Sequence, residues 1–421
     1  MRVAHLLRKY DPAEWGGTET AIERLVSGFA GRAVESLVFA PRLASAVTTA
    51  DPLEALGCTV RRFRAFVPVW GISAERKRQM IAVGGNVLSF DLIRALWREP
   101  GLDVIHSHAL GRLGAIGRAV ARERKLPFVL SVHGGAYDLP AAVREELHRP
   151  VGGWDWGRPL GMVLRARHLF AESDAIVTVN DREAALIRER HPGRRVFVQP
   201  HGVPAALFLP DHRAAARAAF PTVVDRSVLL VPGRIDPVKN QDWLIAQAAE
   251  LVRRHPTVLL VLVGACTHRE YGEALQARIT REGLQGSVLL TGKLPPGDPR
   301  LIGLFQEARA VVLPSLSETF GLVILEAWAA GTPVISSRTS GATALVTEGA
   351  NGSLFDLARP ETFHAAVGQL LAQPGRSAEW GQAGRAKVIA EFDTAVLAGR
   401  MERFYAELIA EKNAYRHPAR R

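Results

Sequence analysis

The sequence predicts an α/β fold of two domains, each built around a parallel β-sheet. At 421 residues, the chain is too long for one ordinary hydrophobic core and indicates two domains. Short apolar runs of strand length alternate with helical segments, which is the pattern of parallel sheets with crossover helices. A polar, alanine-rich stretch after residue 204 interrupts this alternation, which then restarts. We therefore expect an N-terminal domain at 1–210, a linker at 211–225, a C-terminal domain at 226–391 and final helices at 392–421.

Paired glycines open the first predicted helix. Gly16 and Gly17 follow the first strand, and the absence of side chains would let a ligand approach the backbone closely. A tight structural turn is an equally good interpretation, and the stretch is not the GxGxxG of dehydrogenases. The remaining pattern of this half predicts helices at 90–97 and 113–124, and strands at 3–7, 36–40, 59–63, 103–106, 128–132, 175–179 and 196–199.

Three histidines lie where predicted strands end, which is the ligand-binding side of a parallel sheet. His106 ends one predicted strand, with His108 two residues further on, and His133 follows the next strand. No cysteine or carboxylate joins them at a ligand-like spacing, so the sequence does not favour a metal site. His133 precedes two glycines and is the better functional candidate, whereas His106 and His108 are assigned a structural role. Trp154 and Trp156 could stack on an acceptor sugar, although simple packing is the favoured interpretation.

The second domain restarts with a predicted strand at 227–231 and a loop that carries two cations. Arg234 and Lys239 precede a helix for which Asn240 is the expected N-cap. Two cations beside a positive helix terminus are well suited to bind a pyrophosphate without a metal. A later strand end, at Lys293–Leu294, lies on the same side of the predicted sheet, where a nucleotide base could pack.

The stretch from residue 310 to 341 carries the most informative pattern. It predicts a strand, a loop, a helix that begins near Phe320 and a second strand. The backbone N–H groups of Phe320, Gly321 and Leu322 would form a phosphate site at the helix start. Glu326 projects from the same helix face one turn further on and can hydrogen-bond ribose hydroxyls. Glu318 would then face whatever the phosphate carries, so the stretch predicts a sugar-nucleotide site.

Several ordered motifs together resemble the retaining glycosyltransferases of family 4. They are GGTET, SVHGG, GRIDPVKN, TGKLP and SETFGLVILEAWAAGTPVI, and they cover most of the chain. The resemblance implies the GT-B fold, in which two Rossmann-like domains face each other across a cleft and the last helices, 392–421, cross back to the first domain. One departure is His201-Gly202-Val203-Pro204, where the family often has an Asn-Gly-Val-Asp type of turn.

The resemblance also implies roles for individual residues. It assigns Arg234 and Lys239 to the donor diphosphate, Glu318 to hydroxyls of the donor sugar and His133 to the transferred sugar. The implied catalytic residues are His133, Arg234, Lys239 and Glu318, and the implied donor-binding residues are Gly16, Gly17, Gly233, Lys293, Leu294, Phe320, Gly321, Leu322 and Glu326.

The implied reaction moves a hexosyl unit from a UDP- or GDP-type sugar nucleotide to a hydroxyl acceptor with retention, by front-face transfer. The chain has no Asp-x-Asp motif, so neither an essential metal nor another cofactor is expected. The acceptor could be lipid-linked, a saccharide or a small metabolite. The alternatives are another GT-B sugar enzyme, such as a phosphorylase or epimerase, or a non-enzymatic protein that binds nucleotides or nucleic acid.

The composition indicates the class of protein, its compartment and its partners. A hydrophobic content of 48% with 23% charged residues is that of an ordinary globular protein. Two cysteines argue against a disulfide framework, and the start of the chain lacks a signal pattern, so a cytoplasmic protein is expected. The net charge of +11 is spread along the chain without a nucleic-acid-binding motif, which makes that partner unlikely. Contact with an anionic membrane or acceptor remains open beside plain solubility.

Overall fold

The structure is a computed structural model that describes residues 1–12, 17–42, 51–82, 87–133, 137 and 153–416. The chain divides into two compact units. Unit 1 comprises Met1–His201 with Thr394–Arg421, and unit 2 comprises Gly202–Asp393. Each unit has its own mainly parallel sheet, which confirms the predicted α/β fold of two domains.

Unit 1 is built on a seven-stranded parallel sheet of order β3-β2-β1-β5-β6-β8-β9. A separate pair, β4 and β7, is antiparallel. The strands are β1 (Arg2–Leu6), β2 (Glu35–Pro41), β3 (Thr59–Phe63), β4 (Val69–Trp70), β5 (Val104–Ser107), β6 (Phe128–Val132), β7 (Trp154–Asp155), β8 (Ala175–Thr178) and β9 (Arg195–Val198). The described helices between them are α1 (Gly17–Gly28), α2 (Pro52–Ala55), α3 (Ala74–Ala82), α4 (Phe90–Arg98), α5 (Gly111–Glu123), α6 (Arg158–Val163) and α7 (Asp181–Arg190).

Unit 2 is built on a six-stranded parallel sheet of order β12-β11-β10-β13-β14-β15. Its strands are β10 (Ser227–Pro232), β11 (Val258–Val263), β12 (Val288–Gly292), β13 (Ala310–Leu313), β14 (Val334–Ser337) and β15 (Gly352–Phe355). Its helices are α8 (Arg213–Ala219), α9 (Gln241–Arg254), α10 (Arg269–Arg281), α11 (Pro299–Glu307), α12 (Leu322–Ala329), α13 (Ser340–Leu345), α14 (Pro360–Ala372) and α15 (Pro374–Lys387). The strand order reverses between β10 and β13, and open parallel sheets bind ligands at the carboxyl ends of the strands at such a switch point.

The last helix, α16 (Thr394–Arg416), belongs to unit 1 although it follows unit 2 in the chain. Successive strand residues face opposite sides of the sheet, so Ile105 packs towards Leu113 of α5. Its neighbour Val104 lies in the other core, with Tyr405 of α16. Helix α16 therefore covers the second face of the first sheet. Within the described part of the chain, no helix combines the length and apolar character that crossing a bilayer requires.

The prediction of a linker at 211–225 is wrong, because this segment is an integral part of unit 2. Helix α8 packs against α11, with Ala216 fully buried. Arg217 forms an ion pair with Glu307 at 2.8 Å, and the amide of His212 donates to Gln306. The alanines that suggested a linker instead allow two helices to approach closely. The boundary between the units consequently lies at His201, before residue 210.

Candidate functional site

The loop after β10 is held by a buried carboxylate. The side chain of Asp236 accepts hydrogen bonds from the amides of Val238 and Lys239, at 3.0 and 3.1 Å. It also pairs with Arg234 at 3.2 Å, while the Arg234 side chain remains 62% exposed. Gly233 has a φ of 142°, a conformation that favours glycine. Asp236 therefore positions both cations of this loop, a role that the sequence did not indicate.

A second loop, after β13, lies directly against the first. The amide of Leu316 donates to the carbonyl of Val238 at 2.8 Å. The carbonyl of Glu318 accepts from the amide of Gly341 at 2.7 Å. A Cβ at Gly341 would lie 2.8 Å from that carbonyl oxygen, so only glycine permits this approach. These contacts fix the backbone that carries Glu318.

The two loops bring Lys239 and Glu318 together although they are far apart in sequence. Nζ of Lys239 lies 2.5 Å from a carboxylate oxygen of Glu318, and the side chains are 21% and 19% exposed. The expected N-cap Asn240 precedes α9 but does not cap it, because its conformation is left-handed. Its side-chain amide instead donates to the carbonyl of Pro314, at 3.1 Å, which is a third link between the loops.

Helix α12 begins beside this ion pair. Gly321 precedes it with a φ of 93°, and Leu322 is its first residue. The first N–H groups of a helix have no partner within the helix, so they point outward at this end. Phe320 is buried, whereas Leu322 and Glu326 are partly exposed on one face of the helix. The structure therefore places Glu326 one turn beyond the helix start, on the same side as Leu322.

A cavity of about 520 Å³ lies at the carboxyl ends of β10, β11 and β12. Its walls include Ile235, Gly264, Cys266, Leu290 and Lys293. Leu294, the neighbour of Lys293, is not among the residues that line it. A Cβ at Gly264 would lie 1.9 Å from the carbonyl oxygen of residue 233, so this wall touches the cation-bearing loop. One wall of the cavity therefore adjoins the loop that carries Arg234 and Lys239.

Unit 1 collects histidines at the switch point of its own sheet, between β1 and β5. Nδ1 of His5 lies 3.1 Å from Nε2 of His108, and Nδ1 of His108 lies 2.8 Å from Nε2 of His133. His133 stacks on His201, with ring centroids 5.3 Å apart. The ring of His106 contacts His108 at 4.2 Å. The sequence indicated three of these residues but missed His5 and His201, which are distant in the chain.

Burial keeps these imidazoles neutral at pH 7. It lowers the pKa of His5 to about 3 and that of His133 to about 4. His5, His106 and His108 could geometrically share one metal ion, because their nitrogens lie within 4.8 Å of one another. However, both nitrogens of His106 already contact hydroxyls, at 2.6 Å from Tyr405 and 2.7 Å from Ser131. The hydrogen bonds account for the cluster as it stands, including the structural role predicted for His106 and His108.

The remaining residues singled out in the sequence are glycines and tryptophans of unit 1. Gly17 is the first residue of α1, and Gly16 lies outside the described residues, as do the two glycines after His133. Trp156 stacks on Phe66 with centroids 5.8 Å apart, as packing requires. Trp154 packs on Trp70 with ring centroids 5.1 Å apart, and its side chain is also 63% exposed.

Comparisons with known proteins agree with this architecture. The family model "Glycosyl transferases group 1" matches residues 213–387, and "Glycosyltransferase Family 4" matches 15–207. The D-inositol 3-phosphate glycosyltransferase of Frankia alni is 33% identical over 368 residues, which are 85% of this chain and 86% of that protein. The protein of the same name from Acidothermus cellulolyticus is 34% identical over 291 residues, 67% of this chain and 62% of its own length. The structure of HepE from Anabaena in complex with UDP has a TM-score of 0.72 at 19% identity, and the match covers 97% of this chain and all of that one.

Proposed function

Because this chain belongs to the family 4 glycosyltransferases and has their GT-B fold, we propose that it moves a hexosyl unit from a nucleoside-diphosphate sugar to a hydroxyl acceptor, with retention. The observation that carries the proposal is the Lys239–Glu318 pair at the start of α12. A cation for phosphate, a carboxylate for sugar hydroxyls and a helix N-terminus lie together there, next to a cavity. All of these groups belong to unit 2.

The diphosphate is the first group to place. Arg234 and Lys239 supply two positive charges, and the amides at Gly321 and Leu322 supply donors aligned with the helix dipole. The exposed guanidinium of Arg234 is free to move from Asp236 towards a phosphate oxygen, because it is mostly in solvent. These groups would bind the donor and neutralise the charge that develops on its leaving group.

The remaining parts of the donor have matching surroundings. Glu318 can accept hydrogen bonds from sugar hydroxyls while it stays next to Lys239. Glu326, one turn along α12, is placed to accept from the ribose, and the 520 Å³ cavity lined by Lys293 would hold the base. We propose UDP as the nucleotide to test first, since the HepE protein was crystallised with UDP and with UDP-glucose. The roles of His133, Gly16, Gly17 and Leu294 stay predictions of the family resemblance.

We propose front-face transfer as the chemical step. The bond from the anomeric carbon to the β-phosphate oxygen breaks, and the acceptor oxygen bonds to that carbon from the same face. The acceptor proton passes to the departing phosphate oxygen. Glu318 is held by Lys239 at 2.5 Å, which suits a hydrogen-bond acceptor better than an attacking nucleophile. Arg234 and Lys239 supply charge that a metal ion supplies in other transferases, so we propose that none is essential.

The relatives' names direct the choice of acceptor. Several are called D-inositol 3-phosphate glycosyltransferases, so a phosphorylated polyol is the first acceptor to assay. The acceptor screen should also include saccharides, which offer hydroxyl groups of the same kind.

A thermal-shift screen tests the donor proposal. Purified protein is heated with UDP, GDP, ADP and their common sugar conjugates, with and without EDTA. A ligand at about 100 times its dissociation constant adds roughly 2.7 kcal/mol to the free energy of unfolding. We expect one base to raise the melting temperature in the presence of EDTA, and Arg234→Ala to reduce the stabilisation to about half, as tenfold weaker binding at the same ligand concentration requires. The absence of a shift with every nucleotide would contradict the proposal.

A further inference from the structure

Unit 1 exposes a chain of aromatic rings. The rings of Phe90, Phe66, Trp156, Trp70 and Trp154 follow one another with centroids between 5.1 and 6.4 Å apart. Trp70 and Trp154, which pair across strands β4 and β7, are 60% and 63% exposed. Single exposed apolar residues are common, but a contiguous patch of this kind marks an interaction surface.

Helix α4 extends the patch. Leu92 and Leu96 point inward and are fully buried, which is sufficient to attach the helix to the core. Phe90, Ile93 and Trp97 lie on the opposite, exposed side at helical spacing. The helix is therefore anchored by its inner face, while Phe90, Ile93 and Trp97 on its outer face remain exposed to solvent.

Arginines accompany the apolar residues. Arg94 and Arg98 are exposed next to the outer face of α4, and neither pairs with an acidic side chain in the described parts of the chain. Arg64 is 79% exposed and binds Asp91 at 3.1 Å. The acidic residue of α4, Asp91, is therefore paired with an arginine, and the face is positive.

An arginine-lined cavity of about 830 Å³ has Asp155 of β7 in its wall, and Trp154 and Trp156 flank this residue in the sequence. Asp155, which lies between them, binds Arg112 at 2.5 Å, and Arg165 pairs with Glu172. Arg158 and Arg167 also line the cavity, and among the described residues no acidic side chain pairs with either. The cavity thus presents two uncompensated positive charges to an anion.

We propose that this docking face, formed by the aromatic chain, the outer face of α4 and the arginine cavity, binds an anionic membrane surface. Tryptophan and phenylalanine partition into the interface between headgroups and acyl chains, and nearby arginines are attracted to anionic lipids. The cavity holds a lipid phosphate group. A saccharide platform would need free hydrogen-bond acceptors beside the rings, but Asp91 and Asp155 are both occupied by arginines.

Vesicle flotation tests the proposal with the full chain. We expect the protein to float with vesicles in which about a third of the lipid is phosphatidylglycerol, and not with phosphatidylcholine alone. Binding should weaken at about 1 M salt, where the Debye length falls to about 3 Å. Brominated acyl chains should quench the tryptophan fluorescence of bound protein, and Trp70→Phe with Trp154→Phe should reduce that quenching.

Paired variants separate the apolar part from the charged part. Ile93→Ser with Trp97→Ser should lower the vesicle partition coefficient at least about tenfold by removing inserted apolar surface. Arg158→Gln with Arg167→Gln should lower it by roughly tenfold or more by removing two charges. Neither pair belongs to the proposed donor site, so the thermal shift with a nucleotide should remain and report an intact unit 2.

Matched controls come from unit 2. Leu209 and Leu316 are 63% and 61% exposed, so their replacement by serine removes comparable apolar surface elsewhere. Arg253→Gln with Arg281→Gln removes the same charge from exposed positions. We expect both control pairs to float like the original protein.

Several results would overturn the proposal. Equal flotation with neutral vesicles would remove the electrostatic argument, and equal loss in the unit 2 controls would show that only total charge or total apolar area matters. Release of bound protein by a soluble oligosaccharide would identify the rings as a sugar platform. Release by free inositol phosphate, but not by salt of equal ionic strength, would assign the cavity to a soluble phosphate compound.

Discussion

Replacing Glu318 by glutamine should separate donor binding from sugar transfer. The Glu318 carboxylate holds the ammonium group of Lys239 at 2.5 Å. A diphosphate that binds Lys239 competes with Glu318 for that ammonium group, whereas the sugar needs Glu318 itself. The same substitution should therefore strengthen the binding of UDP and weaken the transfer from a UDP-sugar.

The size of each effect follows from the surroundings of the pair. With 21% and 19% of the two side chains exposed, solvent screens the pair, and an interaction of about 1 kcal/mol is appropriate. Relief of that competition corresponds to roughly fivefold tighter UDP binding. Loss of charged hydrogen bonds to sugar hydroxyls costs about 1.5–3 kcal/mol, so kcat/KM should fall about 10- to 100-fold.

Calorimetric titration with UDP and a steady-state transfer assay measure the two quantities on the same preparation. Glu307→Gln is a matched control, because Glu307 pairs with Arg217 at 2.8 Å and is only 11% exposed, but lies away from the proposed donor site. The control should change neither UDP affinity nor transfer. Weaker UDP binding by Glu318→Gln would refute the competition, and transfer at the original rate would show that Glu318 does not contact the sugar.

Three further predictions concern charge, access and pH. Arg234→Ala should weaken UDP binding about tenfold, both with and without EDTA, because the substitution removes a positive charge that would bind the diphosphate. An unchanged calorimetric affinity for UDP would contradict this role of Arg234. Cys266 is exposed and lines the cavity that we propose for the base, whereas burial raises the pKa of Cys58 to about 12. A maleimide should therefore label Cys266 alone, and UDP should slow this labelling. Burial lowers the pKa of His5, so the stability that its neutral imidazole contributes is present above about pH 6.5 and is lost as the pH falls towards 3. At pH 5 this should lower the free energy of unfolding, measured in urea, by about 2 kcal/mol.

The sequence predicted the elements of the fold well, because parallel strands leave a clear local pattern. The strands at 59–63 and 128–132 have the predicted bounds, and the other strands for which bounds were predicted differ by one residue at one or both ends. The segment at 211–225 was misassigned because an alanine-rich helix and an alanine-rich linker have the same composition. What distinguishes them is the contact of Arg217 with Glu307, which no local pattern contains.

The proposed donor site was predictable only in part, for a similar reason. Arg234, Lys239 and Glu318 are conspicuous because charged residues at strand ends are easily read from sequence. Their supports are not, since Asp236 and Gly341 act through backbone contacts that depend on how two loops meet. A residue that positions another one over a long sequence separation leaves no signal in its own neighbourhood.

The histidines of unit 1 illustrate a property that sequence cannot contain at all. Neutral imidazole carries one proton, so each ring must donate through one nitrogen and accept through the other. If His5 donates from Nδ1 to His108, then His108 donates from Nδ1 to His133, and His133 keeps its proton on Nδ1. In the opposite arrangement every proton moves to the other nitrogen, and Nδ1 of His133 becomes an acceptor. That buried Nδ1 has no hydrogen-bond partner among the described residues, so its character as donor or acceptor is decided two rings away, at His5.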